Sequence, residues 1–174
     1  MGHFKWYVIT GAPSSGKTTI VSRLSKMGYH TLFEAARLLI EKEISEGKSL
    51  EEIRINEIEF QRKILELKIE LESKLPKDKI VFLDRAIPDT IAYYQLYGTD
   101  TNEVLKICQI KKYKKIFLLE PLSFEKDHVR IENEKTAKKL SELIKKAYMD
   151  LGYEVINVPI MPIEDRINFI LSNL

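Results

Sequence analysis

The eight residues Gly11-Ala12-Pro13-Ser14-Ser15-Gly16-Lys17-Thr18 constrain this chain more than any other stretch in it. They fit the pattern GxxxxGK[ST] without a mismatch. The apolar run FKWYVIT leads in, and an amphipathic stretch beginning near Lys17 leads out. A strand, a glycine-bearing turn and a helix in that order form a cradle for phosphate. The glycines let the backbone wrap so that successive N–H groups point at phosphate oxygens, and the helix N-terminus adds a favourable dipole. On this reading Gly11, Ala12, Pro13, Ser14, Ser15, Gly16, Lys17, Thr18 and Thr19 surround the phosphates of a nucleoside triphosphate. Lys17 reaches the β- and γ-phosphates, and the Thr18 hydroxyl ligates Mg²⁺.

Periodicity extends this local pattern to the whole chain. Strand-length apolar runs lie at Phe4–Thr10, His30–Phe33, Lys79–Asp84, Lys115–Leu119 and Tyr153–Val158. Helical periodicity marks 17–27, 35–47, 50–75, 89–97, 101–112, 134–151 and 163–173 between and after them. Short strands separated by helices pair in parallel through crossovers, which predicts a doubly wound five-stranded α/β sheet. Carrying a phosphate loop on its first strand, this is the fold of a P-loop NTPase, with the ligand beyond the carboxyl ends of the strands. The length of 174 residues predicts one domain, residues 1–174. The stretch 50–75 reads as the longest helix, with Glu59/Lys63 and Glu70/Lys74 as i,i+4 pairs on its wet side. Only 120–134 is long and without period, and loops of that length are functional or mobile.

Composition removes several classes. A formal net charge of +2 argues against a nucleic-acid binder that works through a broad positive field. A single Cys excludes a disulfide framework and a multi-thiolate zinc cluster, and Cys108 reads as an inert core residue. No signal-peptide h-region is visible, and no apolar run approaches the ~20 residues a membrane helix needs. The expectation is a cytoplasmic protein with no membrane and no nucleic-acid partner.

Other candidate site residues fall at strand ends. Asp84 closes the apolar strand KIVFLD and is the expected second Mg²⁺ residue. Arg85 follows it, placed to clamp a transferring phosphoryl group or the acceptor. Glu34 ends the second strand, where a carboxylate can take a proton from an acceptor hydroxyl, and Arg37 shares the first turn of the helix after it. The other helical arginines, Arg23, Arg54, Arg62 and Arg166, have ordinary surface readings. Asp89 reads as a helix-start residue after Pro88, and Tyr93 either projects to the acceptor side or, as is commoner for an aromatic on a helix, belongs to the core.

The segments GAPSSGKTT, FEAAR, FQRKILE, FLDRAIPDTIAYYQLYG and FEKDHVR together resemble the small P-loop ATPase/kinase-type proteins that carry a generic AAA-domain label. That family is related to ribosylnicotinamide kinase domains, and the resemblance runs from about Phe4 to Ile170. The chain is more distantly similar to deoxynucleoside kinases. This likeness implies that Glu34 is the general base, that Gln61 of the pair Phe60-Gln61 reads the polar edge of the acceptor, and that Arg85 contacts phosphates. Ala86 stands where that motif has Ser. The likeness further implies a kinase-type lid over 120–134, with Asp127 and Arg130 matching Asp-x-x-Arg, so that Arg130 closes over the leaving phosphate.

Three functions fit these features: a kinase moving the γ-phosphoryl of ATP to a small metabolite, with a nucleoside-like acceptor in view; an ATPase; and a nucleotide-binding switch. The runs PKDK and NEKT do not make the Asn/Thr-Lys-x-Asp signature of a guanine reader. The tail 162–174 has room for one short helix, not the extra helical domain of a ring motor. The kinase reading uses most of the candidates: Lys17, Glu34, Arg85 and Arg130 in catalysis, Arg37, Gln61 and Arg85 for the acceptor, Thr18 and Asp84 for Mg²⁺. The acceptor's identity and the oligomeric state are not legible at this level.

Overall fold

Alternation along the strands explains the architecture. In β1 (Trp6–Thr10), Trp6 and Val8 face one side while Tyr7 and Ile9 face the other, and all are buried. β3 (Val81–Asp84) and β4 (Tyr113–Leu119) repeat that two-sided burial, as strands covered on both faces must. The computed structural model describes residues 4–110, 112–122 and 133–174. With β2 (His30–Leu32) and β5 (Val155–Val158), the strands make one sheet in the order β2-β3-β1-β4-β5, every neighbouring pair parallel.

Helices cover both faces. On one, Leu140, Ile144 and Tyr148 of α7 (Glu134–Asp150) pack on Val8, Leu83 and Ile116. On the other, Ile20 and Leu24 of α1 (Lys17–Lys26) and Ile167 and Ile170 of α8 (Ile163–Ser172) pack on Ile9, Phe82 and Phe117. The chain winds to one side of β1 for β2 and β3, then crosses to the other side for β4 and β5. That reversal around β1 is where doubly wound sheets open a crevice at the strand carboxyl ends. The fold class expected from periodicity is the fold observed.

The expected single helix over 50–75 is instead two. α3 (Leu50–Arg54) and α4 (Glu57–Ser73) are separated at Asn56, whose backbone is extended (φ −119°, ψ 94°) and whose side chain accepts from the Glu59 N–H at 3.1 Å. An asparagine that caps a following helix competes with continuation of the preceding one. Of the two expected i,i+4 pairs, Glu70–Lys74 forms. Glu59 pairs with Arg62 at 3.2 Å instead, while Lys63 reaches Glu43 of α2 (Ala35–Ser45) at 3.1 Å. The helix expected over 101–112 is the shorter α6 (Asn102–Ile107), and β4 starts earlier than expected, at Tyr113. Asp127, His128 and Arg130 lie outside the described residues. Cys108 is buried, and burial, with the charge of Glu72, pushes its thiol up to about 12. Among the described residues, no helix is long and apolar enough to cross a membrane.

The break at Asn56 is testable. Asn56→Ala should lower stability by about 1 kcal/mol, and Asn56→Gly by only a few tenths. Urea denaturation of the two variants against the parent measures the difference.

Candidate active site

The phosphate loop is tightly constrained by its surroundings. Gly11 has φ 140°, and a Cβ there would meet the Leu119 carbonyl oxygen of β4 at 2.7 Å, so a side chain would push the first and fourth strands apart. Gly16 caps α1 with φ 88°, and Ser14 between them is also left-handed, with φ 63°. Lys17 folds back over its own loop, donating to the Ala12 carbonyl at 2.7 Å and to Ser15 Oγ at 3.1 Å. Thr18 and Thr19 are exposed at the mouth.

Arg166 corrects the sequence reading. Expected as a surface residue, it is 1% exposed. From α8 its guanidinium donates to three backbone carbonyls: Ser15 at 2.6 Å, Glu120 at 2.7 Å and Pro159 at 3.0 Å. One planar fork thus ties the loop to the ends of β4 and β5.

Asp84 lies across from Thr18 at the end of β3. Its Oδ2 accepts from Thr18 Oγ1 at 3.0 Å, while its buried Oδ1 has no hydrogen-bond partner among the described residues. Burial raises its carboxyl to about 6, with the Glu34 charge acting in the same direction and Lys17, Arg85 and Thr18 against it. A buried carboxylate oxygen without a donor, beside a hydroxyl and facing the phosphate loop, fits a hard divalent cation that keeps most of its ligands as water and phosphate. Among the described residues no group of three or more His, Cys, Asp or Glu offers a self-sufficient metal cage.

The other wall begins at Arg85, a non-glycine residue in left-handed backbone (φ 62°) at the strand end. Its N–H donates to the Ile9 carbonyl at 2.9 Å, which extends the β1–β3 pairing by one residue. The side chain turns inward, with Nε 3.4 Å from Glu34 Oε1, Nη1 3.4 Å from Asp89 Oδ1, and its guanidinium over the Tyr93 ring at 5.4 Å. Asp89 opens α5 (Asp89–Leu96), as the helix-start reading expects, yet it is fully buried. Besides Arg85 it accepts from the Thr10 and Tyr148 hydroxyls and from the Ala86 N–H at 2.8 Å. Burial works against its charge, but Arg85, Lys68 and these donors hold its carboxyl below the usual range.

Glu34 is the N-cap residue of α2 and points back toward Arg85. Burial opposes its ionisation, and Arg85, Lys17, Arg37 and Lys68 outweigh burial, so its carboxyl is held below its ordinary value. Lys17, Thr18, Glu34, Arg37, Gln61 and Arg85 all line one open cleft. The structure therefore brings the described candidates together, and Arg130 lies outside the described residues. Arg54, Phe60, Lys68 and Tyr93 are among the further residues on the cleft wall. Arg54 is a second correction, because its side chain is only 9% exposed and is bound to Glu57. Lys68 was missed altogether. It is buried and donates to the Ala86 carbonyl at 3.0 Å and Thr90 Oγ1 at 3.2 Å, and burial lowers its pKa against the pull of Asp89. The signal was present: Lys68 continues the apolar stripe Phe60–Ile64 at helical spacing, where a cation needs a reason.

Known structures share this fold. A NadR protein in complex with NAD and AMP-PNP superposes with a TM-score of 0.68 at 18% identity, over 97% of this chain and 49% of that one. This chain thus spans about half the length of that protein. Thymidylate kinase from Ehrlichia chaffeensis superposes with a TM-score of 0.69 at 15% identity, over 99% of this chain and 98% of that one. Deoxyadenosine kinase from M. mycoides with bound dATP gives 0.66 at 15% identity, over 97% and 98%. At such identities the superpositions establish the fold alone, a P-loop α/β sheet. No curated protein sequence matches. A family described as "AAA domain" matches residues 6–166, from the first strand to the arginine that braces the phosphate loop, and the chain belongs to that family.

Proposed function

We propose that this chain is an ATP-dependent kinase that moves a γ-phosphoryl group to a hydroxyl of a small, nucleoside-like acceptor, with residues 1–174 acting as one domain. The observation that carries the reading is the shared cleft: the phosphate loop opens onto a wall of acceptor-type residues, with the ionised Glu34 at their junction. The kinase folds of the solved neighbours support it.

Loop N–H groups and Lys17 hold the β- and γ-phosphates of ATP. Thr18 and Asp84 would hold Mg²⁺, which would offset the negative charge of the phosphates. Arg37 and Gln61 bind the acceptor so that its hydroxyl lies against Glu34. As that oxygen attacks γ-phosphorus in line, its proton passes to Glu34 and the bond to the β-phosphate oxygen breaks. Arg85 meets charge on the transferring group, and Lys17 meets it on the departing ADP. Arg130, which lies outside the described residues, is the remaining candidate for charge on the transferring group.

The decisive assay incubates the protein with Mg-ATP and a metabolite panel, following free phosphate and phosphorylated product separately. Product formation is expected; phosphate release without any acceptor would indicate a hydrolase, and nucleotide binding with neither product a switch. Lys17→Ala should abolish turnover. Glu34→Gln should slow transfer by roughly 10²–10⁴-fold while leaving ATP affinity near that of the parent. Equal transfer by that variant would remove Glu34 as the base.

A further inference from the structure

The helix break at Asn56 sets up a relay that the transfer mechanism does not use. Arg54, the last residue of α3, donates from Nε and Nη2 to both oxygens of Glu57, the first residue of α4, at 3.0 and 2.8 Å. The same guanidinium lies over the Phe60 ring, 4.8 Å from its centroid, so a planar fork is held on two sides. Glu57 Oε1 in turn accepts from Gln61 Nε2 at 2.9 Å. Gln61 is 3% exposed, and what remains accessible faces the cleft.

A carboxylate clamped by a guanidinium only accepts hydrogen bonds, so the Gln61 amide must turn its NH₂ toward Glu57. An unclamped glutamine can rotate by half a turn and offer either end of its amide. Here that freedom is removed. One N–H is committed to Glu57, and that is the hydrogen bond the Gln61 side chain makes among the described residues, so Oε1 accepts none from them. The cleft is therefore offered a fixed acceptor oxygen beside Phe60.

We propose that Arg54 and Glu57 are positioning residues that lock the Gln61 amide, and that the cleft thereby selects acceptors bringing an N–H donor to Gln61 Oε1. A carboxamide or an amino-substituted heterocycle is the class that fits. This rests on the kinase reading and names the chemistry of its acceptor. A molecule without the donor leaves a desolvated carbonyl oxygen unpaired, and sites built to hydrogen-bond a group discriminate strongly against its absence.

The test uses the full chain with Mg-ATP and matched pairs differing in the donor. Adenosine is set against purine riboside, which lacks the amino group, and nicotinamide riboside against its carboxylate counterpart, within a wider panel of acceptors with and without N–H donors. The donor-bearing members should be favoured at least about tenfold in kcat/KM. Glu57→Gln places an amide beside Gln61 that both donates and accepts, which restores both orientations. That variant should bring the ratio to within about threefold of one, with the KM for ATP and the melting temperature near those of the parent. A purely structural role would shift stability or both members together and leave the ratio alone. If Glu57→Gln does not fold, Arg54→Met decides, because it releases Glu57 from its clamp and should also lower the ratio. Equal use of donor-free acceptors by the parent, or a parental ratio in the variants, overturns the inference while leaving the kinase reading intact. Absence of transfer to every acceptor, with Mg-ATP bound, overturns both.

Discussion

A full carboxylate inside the protein, that of Asp89, is the interaction on which the site depends. Taking such a group out of water costs several kcal/mol unless every lone pair is met. Here the compensating groups come from three places: Thr10, the residue before the phosphate loop; Arg85 and Ala86, the turn after β3; and Tyr148, on the helix that covers the sheet. None can move alone without exposing an unpaired charge. The carboxylate therefore fixes the distance between the loop that holds a triphosphate and the arginine on the opposite wall. It also explains how a non-glycine residue such as Arg85 is kept in left-handed backbone, a conformation that persists only where its surroundings over-determine it.

The phosphate loop is braced from the other side of the sheet by a different device. Gly11 touches the backbone of β4, and Arg166 binds the Ser15, Glu120 and Pro159 carbonyls at once. A loop whose N–H groups all point at a ligand leaves its carbonyls pointing outward, and buried carbonyls need donors. A guanidinium, with five donors in one plane, supplies three of them from a single side chain. The match of the family from residue 6 to residue 166 spans this brace from end to end.

Most of the fold was legible because its signals are local. The phosphate loop, the five apolar runs and the amphipathic stretches between them follow from spacing alone, and every strand appears within a few residues of its expected place. The strand order was not local information, and neither was the break at Asn56, where one capping side chain outcompetes a helical pattern that continues on both sides. Within the site, Lys17, Thr18, Asp84, Glu34 and Arg85 were visible as polar residues at strand ends or in a motif. Arg166 and Arg54 were misread because an arginine on an amphipathic helix looks like a solvated one until its tertiary partners are known. Lys68 and Asp89 differ: each is a charge among apolar neighbours, a pattern that marks burial but does not say what the charge meets.

The basic residues divide by shape. Of 28 cations, 21 are Lys and 7 are Arg. Among the described residues, Arg54, Arg85 and Arg166 each grip partners from more than one direction: carboxylate and ring, two carboxylates and a ring, three carbonyls. A planar, always-charged fork is needed at such points, because an ammonium would satisfy one partner and leave the others. Lysine is kept where a single point charge suffices. Lys17 lies over the loop it serves, and Lys68 is wedged beneath the turn that carries Arg85, bonded to neutral oxygens but balanced at longer range by Asp89 and Glu34. A net charge of +2 hides this division, because the charges that matter are nearly neutralised in place. What remains is a cleft in which cations and carboxylates are already fixed against one another, so a triphosphate and its acceptor meet groups that need little rearrangement.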